Sequence, residues 1–173
     1  MFDLLDVTSA RKGNKEAFIR IIEASESTMY RIAKSIVKSD EDCADAIQET
    51  ILKAYTSIES LKEPKFFKTW LIRILINVCN QILRSKQKVI PLEGWKEPVT
   101  QTGSYDEIEV NEVVNSLNEE TRMLVILYYF EDLSVKQIAQ TLEIPEGTVK
   151  SRLSRARNEL SRLFQYEGKK LLP

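Results

Sequence analysis

Apolar residues recur at helical spacing along most of the 173-residue chain, and few folds are compatible with that pattern. The stripe of Ala17, Phe18 and Ile21 is one example of the 3.6-residue period. Runs of β-branched residues are short, and only five Gly and five Pro interrupt the periodic segments. The sequence therefore predicts an all-α protein.

Four helices are predicted in the first half of the chain. Periodicity begins near Asn14, and Ser39 with the acidic residues that follow it is typical of an N-cap. The Glu63-Pro64 pair breaks the pattern before a long helix over 66–88. The helix after Ser39 is predicted to run through Ala46, Ile47, Ile51, Leu52 and Tyr55.

A segment with two prolines and two glycines among threonines and serines separates the helices into two groups. Its composition predicts a flexible linker over 89–107 between two small helical domains, 10–88 and 108–166. The distribution of charge along the chain also separates the two domains. The chain carries a net charge of −1, but residues 93–118 hold six acidic side chains against one lysine, between two mildly basic blocks.

Helical periodicity resumes in the last third of the chain, where a short helix, a tight turn and a longer helix follow one another. The turn contains Pro145 and Gly147, and Ala139 is small where two helices must cross closely. This succession is the plan of a DNA-binding helix-turn-helix. The predicted helices are 107–116, 119–130 with Asn118 as its cap, 134–142 with Ser134 as its cap, and a last helix that Thr148 caps and that ends near Gln165.

The last predicted helix has one apolar face and one basic face. At about 100° per residue, Val149, Leu153 and Ala156 lie on the apolar face, opposite Ser151 and Arg155. Arginine reads guanine in the major groove, serine and asparagine exchange hydrogen bonds with bases, and lysine neutralises phosphates. A solvated basic face is the alternative, but the short helix and turn before it favour DNA. The predicted DNA-binding residues are Thr148, Lys150, Ser151, Arg152, Ser154, Arg155 and Asn158.

The composition argues against catalysis and against metal binding. The chain has no histidine, and its two cysteines, Cys43 and Cys79, are far apart without a C-x-x-C motif. No phosphate-binding glycine loop and no nucleophile–base pair stands out. We therefore predict no enzyme, no cofactor, no metal site and no small-molecule substrate. The first residues lack the apolar core of a signal peptide, so we expect a cytoplasmic protein with reduced thiols.

Three segments resemble those of one family, and they occur in the family's order. Residues 42–55 contain Asp-Ala-Ile-Gln-Glu-Thr, residues 67–77 contain Thr-Trp-Leu-Ile-Arg-Ile, and residues 147–157 contain Gly-Thr-Val-Lys-Ser-Arg. They resemble two sigma-two helices and the sigma-four recognition helix of extracytoplasmic-function sigma factors, which are alternative sigma factors of bacterial RNA polymerase. Ala44 and Ile72 depart from the usual pattern, in which an acidic residue and tyrosine are common.

The resemblance implies that the first domain binds the polymerase core. In the family, the clamp helices of the largest polymerase subunit meet the helix that corresponds to residues 42–55. Asp42, Asp45 and Glu49 recur at spacings of three and four and so share a helix face, although an acidic solvated face would have the same spacing. The implied polymerase-binding residues are Asp42, Asp45, Gln48 and Glu49.

The resemblance also implies that the first domain binds melted minus-ten DNA. Cations and aromatic residues mix over 62–70, which suits the phosphates and unpaired bases of a single strand. In the family a loop captures a flipped base, and the corresponding loop here is 59–65. Core packing is the alternative for Trp70 and for one of Phe66 and Phe67. The implied minus-ten residues are Lys62, Lys65, Phe66, Trp70, Arg73, Asn77, Asn80 and Arg84.

Together these resemblances predict a sigma factor that directs RNA polymerase to particular promoters. A sigma-two bundle would bind core polymerase and melted minus-ten DNA, and a sigma-four helix-turn-helix would bind the minus-thirty-five duplex. Family members are commonly held inactive by an anti-sigma factor, often membrane-embedded, so we expect such a partner here. A stand-alone helix-turn-helix regulator is the alternative, and it would bind duplex DNA tightly without polymerase.

Overall fold

The computed structural model describes residues 3–88, 114 and 116–166. Every regular element in that part of the chain is helical, so the prediction of an all-α protein is confirmed. None of the helices described is both long enough and apolar enough to cross a lipid bilayer.

The chain divides into two compact units, Met1–Gly94 and Trp95–Pro173. The division falls inside the predicted linker 89–107. The linker and nearly all of the predicted helix 107–116 lie outside the described residues. Each unit is therefore described by itself.

The first unit begins with a helix that the sequence does not predict. Periodicity is expected to start near Asn14, yet Asp3 already caps a helix by accepting a hydrogen bond from Leu5 N at 2.9 Å. This helix has eight residues and buries Val7 and Ala10, which is too little to produce an amphipathic pattern. The α-helices described in this unit are α1 (Leu4–Arg11), α2 (Lys15–Glu23), α3 (Glu26–Val37), α4 (Asp40–Ser57) and α5 (Phe67–Lys88).

Helix α4 packs against α3 and α5 through small side chains. Cys43, Ala46 and Thr50 are buried, and the Thr50 hydroxyl donates a hydrogen bond to Ala46 O at 2.6 Å. Close contact between helix backbones places small residues inside and larger ones at the rim, so not every apolar residue that predicts α4 is buried. The large apolar side chains that α4 exposes are Leu52 and Tyr55.

Local signals set the starts of α4 and α5. Ser39 accepts a hydrogen bond from Asp42 N at 3.1 Å, which confirms the predicted cap of α4. Two 3₁₀ turns, Ile58–Ser60 and Pro64–Phe66, connect α4 to α5, and proline suits the first position of such a turn. Helix α5 then packs against both α3 and α4, so the three helices share one core.

The second unit contains, within its described residues, three α-helices and one π-helical turn. Asn118 accepts a hydrogen bond from Thr121 N at 3.0 Å, which confirms that Asn118 caps the helix predicted to follow it. Ser134 and Gln137 form a reciprocal capping box, with hydrogen bonds of 3.2 and 2.9 Å between each side chain and the other residue's backbone N. The elements are α6 (Glu119–Val125), the π turn (Ile126–Phe130), α7 (Val135–Leu142) and α8 (Glu146–Tyr166).

The turn between α7 and α8 is tighter than the sequence predicts. Glu143 adopts a left-handed conformation with φ of 56°, and α8 already begins at Glu146. The prediction that Thr148 caps this helix is therefore wrong, and Thr148 N donates a hydrogen bond to Pro145 O at 2.9 Å within the first turn. Pro145 O also accepts a hydrogen bond from Val149 N at 3.2 Å, so the first hydrogen bonds of α8 end on Pro145.

Candidate functional site

Helices α7 and α8 form the predicted helix-turn-helix, and apolar side chains hold it together. Ile138 and Ala139 of α7 are buried, as are Val149, Leu153 and Ala156 of α8. Because this stripe of α8 points inward, the residues on the other side of the helix point to solvent. The predicted DNA-binding residues that the structure exposes on α8 are Lys150, Ser151, Ser154, Arg155 and Asn158.

Two predicted DNA-binding residues are less accessible. Thr148 is half-buried in the first turn of α8. Arg152 is also half-buried, and its Nη2 lies 2.9 Å from Oε2 of Glu120 in the first turn of α6. The structure therefore does not bring these two side chains fully onto the exposed face. Helical spacing alone cannot reveal the Arg152 contact, because it depends on where another helix packs.

Helix α5 carries the predicted polar stripe. Arg73, Asn77 and Arg84 are exposed, and Asn80 is half-buried. Ile72, which departs from the pattern of the sigma factors, is 1 % exposed and belongs to the core. The stripe is therefore presented to solvent by a helix whose opposite side is firmly packed.

The aromatic residues at the start of α5 have different environments. Phe67 is fully buried and Phe66 is 43 % exposed, so Phe67 is the core residue of the pair. Trp70 is half-buried, with its ring centroid 5.9 Å from that of Phe67. Lys62 and Lys65 are exposed, and Lys65 Nζ lies 4.9 Å from the Phe66 ring centroid. An accessible aromatic ring and the Lys65 cation thus stand beside one another, and Lys62 is exposed in the same segment.

The loop 59–65 has a buried base and a charged rim. Ile58, just before the loop, and Leu61, within it, are buried, and α1 packs against the 3₁₀ turns at both ends of the loop. At the rim, Lys65 Nζ lies 2.6 Å from Glu63 Oε2. The helix that the sequence does not predict therefore supports the loop that the resemblance implicates in base capture.

Asp42 differs from the other residues implied to bind polymerase. Asp45, Gln48 and Glu49 are exposed on α4, whereas Asp42 is buried and its Oδ2 accepts a hydrogen bond from Lys86 Nζ at 2.7 Å. That hydrogen bond raises the pKa of Lys86 above its ordinary value. Asp42 is thus tied to the far end of α5 by its ion pair with Lys86.

A groove runs between α4 and α5 beside the exposed acidic residues. On its α5 side, the apolar Val78 and Ile82 alternate with the polar Gln81 and Ser85, and Leu52 contributes an exposed apolar side chain from α4. The α5 wall of the groove is not predictable from the sequence, because helical periodicity assigns Val78 and Ile82 to the core without showing that a crevice reaches them. The groove is lined by Asp45, Gln48, Glu49, Leu52, Val78, Gln81, Ile82 and Ser85.

The two cysteines lie inside the first unit. Burial raises the pKa of Cys43 to about 11 and that of Cys79 to about 12. Both thiols are therefore protonated and poorly nucleophilic at neutral pH. In the part of the chain that the structure describes, no three His, Cys, Asp or Glu side chains are grouped so as to hold a metal ion.

Comparison with protein families identifies both units. The family model described as Sigma-70 region 2 matches residues 21–89, and the one described as Sigma-70, region 4 matches residues 107–160. The first match includes the groove between α4 and α5 and the polar stripe of α5, and the second includes the helix-turn-helix.

Two curated relatives extend the similarity over most of the chain. RNA polymerase sigma factor SigV of Bacillus subtilis is 30% identical over 149 residues, which cover 84% of this chain and 90% of the relative. ECF RNA polymerase sigma factor SigM of Mycobacterium tuberculosis is 31% identical over 157 residues, which cover 89% of this chain and 80% of the relative.

Two solved structures share the fold. The sigma factor RpoE of Bartonella quintana, in complex with the anti-sigma factor NepR, is 27% identical with a TM-score of 0.68; the match covers 89% of this chain and 98% of that chain. CnrH, in complex with the cytosolic domain of CnrY, has a TM-score of 0.69 at 21% identity and covers 96% of this chain and 99% of that one.

Proposed function

The chain belongs to the extracytoplasmic-function sigma factors of RNA polymerase, and on that premise we propose how its parts share the work of promoter recognition. Residues 10–88 bind core polymerase and melted minus-ten DNA. Residues 108–166 bind the minus-thirty-five duplex, and 89–107 tether the two domains. A tether raises the effective concentration of the second site once the first has bound, so two weak contacts are sufficient.

The exposed basic face of α8 is the observation on which this proposal chiefly depends. Arg155 lies on that face with Ser151 and Ser154, and the helix-turn-helix core below holds the face rigid. An arginine in the major groove can donate two hydrogen bonds to one guanine, and serine hydroxyls can exchange hydrogen bonds with neighbouring bases. Lys150 and Asn158, also exposed, would contact phosphates or further base edges.

The minus-ten strand is proposed to follow the start of α5 and its polar stripe. Phe66 offers an exposed ring on which an unpaired base can stack, and the exposed Lys62 and Lys65 suit its phosphates. Arg73 and Asn77 continue the path along α5, together with Asn80 and Arg84. Trp70 would form the inner wall of this path, because it is half-buried against Phe67.

The groove between α4 and α5 is proposed to receive a helical partner. Its apolar wall fits leucine or isoleucine side chains, and the exposed Asp45 and Glu49, with Gln48 between them, fit basic ones. The clamp helices of the polymerase would bind here. We also propose that an anti-sigma factor covers the same groove, as a sigma factor with 27% identity was solved with its anti-sigma factor. Inhibitor and polymerase would then exclude each other.

We further propose that the chain acts by binding alone and catalyses no reaction. Recognition of a promoter requires hydrogen-bond donors, cations and stacking surfaces, and the exposed residues of α5 and α8 supply them. Its place of work would be the cytoplasm, where bacterial polymerase and promoters are found.

The polymerase surface can be tested with paired charge reversals. Asp45→Arg with Glu49→Arg should abolish association with core polymerase, because both replacements put positive charge on the groove. Glu23→Arg with Glu26→Arg is the matched control, since both residues are exposed outside the groove and the change in charge is the same. Sedimentation of equimolar mixtures with core polymerase measures the outcome. Equal binding by the two double variants would place the polymerase surface elsewhere.

A further inference from the structure

An ion pair ties the proposed DNA-reading helix to α6. Arg152 Nη2 lies 2.9 Å from Glu120 Oε2, with side-chain exposures of 31% and 70%. Glu120 stands in the first turn of α6, immediately after the Asn118 cap, where a carboxylate also interacts favourably with the helix dipole. The backbone of Glu120 is therefore fixed in the first turn of α6, and α6 and α8 pack against each other.

The position of Arg152 on α8 explains why it differs from Arg155. At about 100° per residue, Arg152 is about 60° from Val149 in the buried stripe and about 60° from Arg155 on the exposed face. A long side chain at this boundary can turn to either side, and the structure turns it to α6. If Arg152 turned to DNA, the Glu120 carboxylate would stand unpaired near the phosphates, where like charges repel.

We propose that Arg152 is a positioning residue, which docks α8 onto α6 through Glu120 and makes no contact with DNA. The proposal rests on the proposed binding of minus-thirty-five DNA by α8. Base edges are read only when donors and acceptors lie within hydrogen-bond distance, so a small rotation of α8 would remove Arg155 from its base. The ion pair opposes that rotation, because it holds the side of α8 that borders α6.

The test compares Arg152→Ala, Glu120→Ala and the exchange that combines Glu120→Arg with Arg152→Glu. Each full-length variant is bound to core polymerase, and its affinity is measured for promoters in which each minus-thirty-five base pair is substituted in turn. A positioning role predicts that each single variant loses at most about fivefold in affinity. The loss should be the same for every base substitution, the dependence on salt should not change, and the exchange should restore most of the affinity.

Direct contact with DNA predicts different results. Arg152→Ala would then lose about five- to 150-fold at one base pair, or it would reduce the slope of log affinity against log salt by about 0.9. Glu120→Ala would bind DNA more tightly, because it removes a negative charge near the phosphates, and the exchange would bind worst. Any one of these results would overturn the positioning role.

A second measurement is independent of DNA. Amide hydrogen exchange over 146–162 in the free chain should become faster in Arg152→Ala and in Glu120→Ala and return to the original rate in the exchange variant. Unchanged rates in both single variants would refute the docking role. Arg155→Ala should abolish the minus-thirty-five preference without changing these rates. If the unaltered chain has no such preference, the proposed function fails, and the exchange rates still decide the role of Arg152.

Discussion

Replacing Asp42 by Asn should destabilise the first unit, because it removes the charge that holds Lys86 at the end of α5. The Asp42 side chain is 9% exposed and accepts a hydrogen bond of 2.7 Å, whereas the Lys86 side chain is 60% exposed. Hydrogen bonds to charged groups contribute about 1.5–3 kcal/mol, and exposed ion pairs contribute about 0.2–1 kcal/mol. Since water screens the lysine end, the expected loss is about 1 kcal/mol.

Urea unfolding followed by tryptophan fluorescence measures this loss. The chain has two tryptophans, so a Trp95→Phe background leaves Trp70 in the first unit as the only reporter. With a slope of about 1–2 kcal/mol per M, the midpoint should fall by about 0.5–1 M. Asp45→Asn is the matched control, because Asp45 is exposed on the same helix and its replacement should change stability by less than about 0.5 kcal/mol.

Lys86→Gln completes a double-mutant cycle with Asp42→Asn. The coupling energy should be at least about 0.5 kcal/mol at neutral pH. Because the folded state raises the pKa of Lys86 above its usual 10.5, this stabilisation is present at lower pH and is lost as the pH rises through the raised value. The stabilising role of the Asp42–Lys86 ion pair would be refuted if Asp42→Asn left the urea midpoint unchanged.

Three further predictions concern the aromatic pair Phe66 and Phe67, the helix cap Ser134 and the two buried cysteines. Phe67→Ala should cost the first unit about 3–5 kcal/mol in urea unfolding, whereas Phe66→Ala should change stability by less than about 0.5 kcal/mol and weaken binding of the holoenzyme to melted minus-ten DNA. Equal losses of stability would contradict the assignment of Phe67 to the core and Phe66 to the surface. Ser134→Ala should destabilise the second unit by about 1 kcal/mol, because it removes half of a capping box; a thermal midpoint by circular dichroism equal to that of the unaltered chain would count against it. Cys43 and Cys79, buried with pKa values of about 11 and 12, should react with iodoacetamide at neutral pH only after urea is added, and rapid labelling of the folded chain would rule out their burial.

Helix content and most helix starts are predictable because their causes are local. Ser39, Asn118 and Ser134 each accept a hydrogen bond from a backbone N–H three residues later, and those pairings need no information about the rest of the fold. Thr148 shows the limit of this reasoning. It is also a good capping residue, but Pro145 starts the helix earlier.

Contacts between helices could not be predicted in the same way. The spacing of Asp42 and Asp45 on α4 is the same whether or not Lys86 approaches one of them. Likewise, a helical wheel places Arg152 near Arg155 and cannot tell that Glu120 of α6 is within reach. Such pairings depend on which helices pack together and in what orientation. Periodicity within one helix does not encode that information.

Hydrophobic periodicity also fails to reveal helix α1 and the exposure of Leu52. A short helix with two buried residues lacks a recognisable period, and α4 packs through small residues, so that its largest apolar side chains lie outside. The positions of large hydrophobic side chains predict the buried face of a helix only where the helix packs through those side chains. Where helix backbones must approach closely, alanine, cysteine and threonine take those positions instead.

The most direct test of the central claim is size-exclusion chromatography of the purified chain with bacterial core polymerase, beside each component alone. A sigma factor should co-elute with the core at a one-to-one ratio, and the Asp45→Arg, Glu49→Arg variant should not. If the folded chain eluted apart from the core with no inhibitor present, and bound duplex DNA tightly by itself, it would act as a stand-alone regulator and the assignment as a sigma factor would be contradicted.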